Sequence, residues 1–236
     1  MRNNFTYEYK KLKAVSVHLP LIIVLVEIIF LLFFAIIMML GGEEGDIVDL
    51  INFEFIVPLV TTITFSVIAV YATYFMNKFL VSNYIGNTRE KTYSFPRGRT
   101  NILIQKMYAF CFRMFVTFLP LVGFLNIIFI LLVYVFSLFV MAEVLSVILL
   151  ATSFSFIAVL LVIMVVLFSI LLGLKYHSTN SSLITSVVLV TILSNLLSRV
   201  GSIHIWFHLI ISIILIATNF ILLKYIQRKV KFDDII

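Results

Sequence analysis

Six stretches of this chain are each apolar over about 20 residues, the length a helix needs to cross a bilayer, and that pattern excludes most other folds. A segment surrounded by hydrocarbon must bond every backbone N–H and C=O internally, so only helices and closed barrels survive there. The stretches cover residues 17–40, 55–76, 107–136, 143–174, 182–197 and 204–225. Between Met107 and Leu174 only Arg113 and Glu143 are charged. At about 1.5 Å per residue this length exceeds one span, and we divide it near Ser137 to Glu143. The fifth stretch is short and suits a thin or protein-lined slot. A soluble domain carries about 25% charged residues, whereas this chain has 12% with 63% hydrophobic residues and a mean hydropathy of +1.20. The expectation is an all-α integral membrane protein with one transmembrane domain, residues 1–236.

Charge sets the orientation. Arg2, Lys10, Lys11 and Lys13 precede the first span, and Lys78, Arg89, Lys91, Arg97, Arg99 and Lys106 lie between the second and third. Lys175 follows the fourth span, and Lys224, Arg228, Lys229 and Lys231 cluster around the end of the sixth. Arg113 sits just inside the third span, and Arg199 alone falls on the other side. By the positive-inside rule both termini are cytoplasmic. Glu43, Glu44, Asp46, Asp49 and Glu54 fill the first outer loop. The net charge of +6 fits a membrane surface and a cytoplasmic partner better than nucleic acid, because the basic residues lie in short segments between apolar runs. Cys111 is the one cysteine, so an intrachain disulfide is impossible and no metal site can rest on thiolates.

Residues 1–16 read as an amphipathic helix lying at the interface, with Phe5, Tyr9 and Leu12 on one stripe and Lys10 and Lys11 facing away. A plain basic leader that orients the first span is the alternative. A cleavable signal peptide fits less well, because the apolar run is too long and lacks an A-x-A site.

The longest inner loop, residues 77–106, is patterned. Gly86 gives a flexible start, Ser94-Phe95-Pro96 a break, and Ile102, Leu103 and Lys106 resume helical spacing toward the third span. A short helix held between two projecting spans would make a lever for a soluble partner. The plain alternative is a basic loop that attracts anionic headgroups.

The order Gly86, Glu90, Ser94-Phe95-Pro96, Arg99 and Lys106 resembles the cytoplasmic loop of six-span permease subunits of bacterial ABC exporters. The interfacial helix, six spans and cytoplasmic ends resemble that family too. The sequence departs from the family at Arg89 and Lys91, which flank Glu90 where apolar residues are usual, and by one extra residue between the glycine and the proline. The resemblance implies a coupling segment contacting a cytoplasmic ATPase through Tyr84, Gly86, Arg89, Glu90, Lys91, Ser94, Phe95, Pro96, Arg97 and Arg99. It also implies two ATPase copies carrying the ATP and Mg, a second permease subunit, the same chain or a homologue, and a bacterial plasma membrane location. No G-x-x-x-x-G-K-[ST] phosphate loop occurs, so this chain is expected to bind no cofactor and to be no enzyme itself. In the resembled family spans two and five line the transport path. Here Thr62, Ser66 and Thr73 form a small polar stripe on the second span, and Thr191, Ser194 and Asn195 another on the fifth. Helix packing explains such stripes equally well.

Glu27 sits near the middle of the first span, a placement that by default marks function. We expect it to face the interior and either bond a neighbouring span or touch cargo. His204 and His208 share a helical face but lack the glutamate of H-E-x-x-H, so a zinc hydrolase has no general base there. Serines in the fourth span (Ser153, Ser155) with a histidine in the sixth suggest an intramembrane serine protease of the rhomboid kind, but the glycines expected around such a nucleophile are absent. A non-transporting immunity or sensor protein is the other alternative. With an apolar interior and no outer domain, an exporter of this build suits a hydrophobic or amphipathic cargo, a peptide or peptide toxin foremost, with lipid or a drug also open. A cationic cargo would pass Glu43, Glu44 and Asp46, unless that loop is only a solvated turn.

Overall fold

The structure, a computed structural model, describes residues 2–40, 53–85, 99–136, 144–201 and 205–232. Among the described residues seven α-helices form, α1 (Arg2–Val15), α2 (Leu19–Leu40), α3 (Phe53–Phe79), α4 (Arg99–Val135), α5 (Val144–Lys175), α6 (Thr179–Val200) and α7 (Ile205–Phe232), with a 3-10 turn at Val81–Tyr84. No strand occurs among the described residues. Helices α2 to α7 are each long and apolar enough to cross a bilayer, so the chain is a multi-pass membrane protein. Helix α6 has 22 residues, three more at each end than the expected fifth span, and it needs no thin slot. Residues 99–106 of the expected inner loop are the first turns of α4.

Helix α5 is the axis of the bundle. In its most apolar stretch 83% of residues are buried, against 17% in α2 and in α6. Its sequence explains this position: it is apolar on every side, and only a helix surrounded by others gains from that. Helices α3, α4, α6 and α7 pack around it, and α2 attaches from outside to α3 and α4. The outward faces, including Leu21, Leu25, Ile29, Ile213 and Ile221, are exposed and suit lipid.

Close approach is built in at the helix ends. Helix α5 stops because His177 takes a left-handed φ of 49°, which lets the Ser178 N–H reach back to the Gly173 carbonyl at 3.1 Å. Ser178 then caps α6, its Oγ accepting from the Ser181 N–H at 3.4 Å. At the other end of α6, a Cβ on Gly201 would collide with the Pro58 ring, so glycine is what allows α6 to end against the start of α3.

Short connections make consecutive spans antiparallel, and the described charges sort accordingly. Lys10, Lys11, Lys13, Lys78, Lys175, Lys224, Arg228 and Lys231 are exposed at one end, the basic end, and Arg199 lies at the opposite one. Helix α1 lies at the basic end with the expected stripe turned onto α4. Leu12 is fully buried, and the Phe5 and Tyr9 rings meet Phe112 edge-on at 6.3 and 5.5 Å.

Candidate functional site

At the basic end the two roots of the inner loop are joined by a buried lysine. Lys106, 6% exposed on α4, donates from Nζ to the Phe79 carbonyl at 3.1 Å and lies 4.7 Å from the Phe79 ring centre. That carbonyl belongs to the last turn of α3, where carbonyls lack helical partners and the helix dipole favours a cation. Asn83 Nδ2 donates to the same oxygen at 2.8 Å. From α1, Glu8 attracts the Lys106 ammonium and Lys11 opposes it. Asn77 Nδ2 donates to the Thr179 carbonyl at 3.2 Å, tying the end of α3 to the start of α6.

Tyr84 is 2% exposed and belongs to the main core at the root of the loop. Gly86, Arg89, Glu90, Lys91, Ser94, Phe95, Pro96 and Arg97 lie outside the described residues. Arg99 opens α4, and its side chain is not among those described. The acidic loop residues Glu43, Glu44, Asp46 and Asp49 also lie outside, as does His204.

The side chains of the two polar stripes bond their own helices. On α3, Thr62, Ser66 and Thr73 donate to the carbonyls of Pro58, Thr62 and Ala69 one turn back, at 2.7, 2.8 and 2.9 Å. On α6, Thr191 and Asn195 are exposed and Ser194 is half-buried, and all three donate to carbonyls of their own helix. A hydroxyl bonded to its own helix needs no polar surroundings, so its presence in a span does not mark a pathway.

A cleft of about 810 Å³ lies between α4, α5 and α7 toward the end opposite the basic one. Its lining is almost wholly apolar, and its rim residues Phe124, Leu149, Trp206 and Leu209 are exposed. Gly123 opens it: a Cβ there would meet nothing within 4 Å. The polar feature of its wall is a pair from α5 and α7. Ser153 Oγ lies 2.7 Å from His208 Nδ1, and His208 Nε2 lies 2.9 Å from the Val200 carbonyl. A carbonyl only accepts, which assigns the hydrogen to Nε2 and leaves Nδ1 of the neutral ring to accept from Ser153. The Ser153 hydroxyl also lies 2.8 Å from the Leu150 carbonyl, its alternative acceptor.

A serine against a histidine held by a third group is the geometry of an activated nucleophile. Acyl transfer also needs donors aimed at the developing oxyanion. The neighbouring cleft hydroxyls of Thr152 and Ser212 donate instead to the Leu149 and His208 carbonyls at 3.0 and 2.7 Å. The pair is a polar point on an otherwise apolar wall.

Glu27 faces inward as expected and is fully buried. Thr64 and Thr61 of α3 and Asn126 of α4 lie close enough to its carboxyl to interact with it as hydrogen-bonding groups, yet none makes a hydrogen bond of ordinary length and angle to either oxygen. Asn126 itself donates to Thr61 Oγ1 at 3.1 Å and to Ser155 Oγ at 3.5 Å. Sequence reasoning missed Asn126, and also Asn219, whose Nδ2 bonds the Leu160 carbonyl at 3.0 Å. The available signal was a single amide inside a long apolar run. Among the described residues no group of three or more His, Cys, Asp or Glu could hold a metal. No family profile, curated protein or solved structure matches the chain.

Proposed function

We propose that the chain is the permease subunit of an ATP-driven ABC exporter of the bacterial plasma membrane, moving a hydrophobic or amphipathic cargo, a peptide or peptide toxin foremost, out of the cell. In this reading it works with a second permease subunit and two copies of a cytoplasmic ATPase, which bind the ATP and Mg. The basic end and both termini are cytoplasmic, as the sorting of lysine and arginine favours.

The observation that carries the reading is the braced root of the inner loop. A loop needed only for topology gains nothing from a buried ammonium fixed to the end of the preceding span. With that brace, a push on residues 86–98 moves α3 and α4 together, and the Asn77 to Thr179 bond carries it to α6. The cleft supports the cargo class: its apolar wall with one polar point at Ser153 and His208 suits an apolar chain bearing a hydrogen-bonding group.

Photocrosslinking residues placed at Ser94 and Arg97 should capture an ATP-hydrolysing soluble protein, while the same residue at exposed Tyr134 on the opposite end should not. Capture from none of these positions, or equally from Tyr134, would overturn the reading and favour an immunity or sensor protein.

A further inference from the structure

The polar cluster around Glu27 is short of donors. Glu27 of α2, Thr61 and Thr64 of α3, Asn126 of α4 and Ser155 of α5 are all fully buried, so four spans contribute to one point. Asn126 Nδ2 is occupied by Thr61 and Ser155, and the Ser155 hydroxyl donates to the Ala151 carbonyl at 2.8 Å. After these bonds both Glu27 oxygens, Asn126 Oδ1 and Thr64 Oγ1 have no partner. At most the two threonine hydroxyl hydrogens remain, against three acceptor oxygens that each take more than one bond. In hydrocarbon no bulk water makes up the difference, and unpaired buried oxygens cost free energy.

We propose that Glu27, Thr61, Thr64 and Asn126 form an intramembrane binding site for one monovalent cation, a proton or Na⁺. Three features define that ligand. The neighbours of the carboxyl from α3 and α4, and Ser155 behind them on α5, are all neutral, so among the described residues no side chain supplies the counter-charge. One carboxylate balances one positive charge, and a divalent ion would leave a net charge in the apolar bundle. The donors are all oxygen, which suits hard ions and not thiophilic or imidazole-preferring metals. An occupied site draws α2, the least buried span with α6, against α3 and α4, and an empty one leaves a lone carboxylate pushing α2 away. Cation occupancy thereby sets how firmly the first span is docked. This inference is independent of the exporter reading.

The test is thermal denaturation of the full chain in lipid nanodiscs, comparing NaCl with choline chloride at equal ionic strength over a range of pH, for the native protein, Glu27→Gln and Thr64→Val. The native Tm should rise with Na⁺ or with falling pH, and the response should be absent in Glu27→Gln and several-fold weaker in Thr64→Val. Titratable groups elsewhere are shared by all three proteins and cancel in the comparison. A difference that depends on Na⁺ assigns the site to Na⁺, and one that depends on pH alone assigns it to the proton. Identical responses of the native protein and Glu27→Gln would overturn the proposal. Should Glu27→Gln fail to fold, a Thr64→Val protein that responds as the native one does would overturn it equally.

Discussion

Of the polar sites described inside the apolar bundle, the Ser153–His208 pair and the Glu27 cluster differ in how their polar atoms are matched. Both His208 nitrogens have partners at 2.7 and 2.9 Å, one on α5 and one at the end of α6. The Glu27 carboxyl has none, although three polar side chains lie beside it. A fully matched buried pair fixes helices in place, whereas an unmatched buried group leaves its oxygens uncompensated. Burial and residue type alone would have ranked the two sites the same way round or the reverse; hydrogen-bond matching separates them.

That difference makes the two sites respond oppositely to substitution. His208→Leu should have the largest effect, a loss of about 1–2 kcal/mol, because the Val200 carbonyl and Ser153 both lose a partner in hydrocarbon. Reversible unfolding in mixed micelles would measure it, and no loss would remove the pair from the structural account. Glu27→Gln should have the opposite sign. In Na⁺-free buffer at alkaline pH a gain of up to about 1 kcal/mol is expected, since the new amide hydrogens can donate to Asn126 Oδ1 and Thr64 Oγ1. A loss of that size would mean that Glu27 already holds its helices without a ligand. Thr191→Val should change stability by less than about 0.5 kcal/mol, its hydroxyl being bonded only to its own helix on an exposed face. A larger cost in the assembled complex than in the isolated chain would place that face in a subunit contact.

The spans were legible in the sequence because hydrocarbon imposes one requirement, internal backbone bonding, and apolar runs announce it. Glu27 was legible for the same reason: an acid among Leu, Ile and Phe is out of place unless it faces inward, and it does. That a fourth-span serine could meet a sixth-span histidine was legible, but not which one: the crossing of α5 and α7 brings Ser153 to His208, 55 residues away. The polar stripes left packing and pathway undecided for a physical reason. Thr62, Ser66, Thr73, Thr191, Ser194 and Asn195 satisfy themselves on their own helices, so their polarity carries no information about what they face. Lys106 was legible as a lysine of the inner loop on resumed helical spacing, but not its burial against Phe79, a pairing that depends on where α3 stops.

The most direct measurement is to purify the tagged chain gently from its native membrane and assay what accompanies it for ATP hydrolysis, with and without a Pro96→Ala, Arg99→Glu change. The account predicts a copurifying ATPase whose association and hydrolysis are lost in the variant. Absence of any ATPase across several detergents would contradict it.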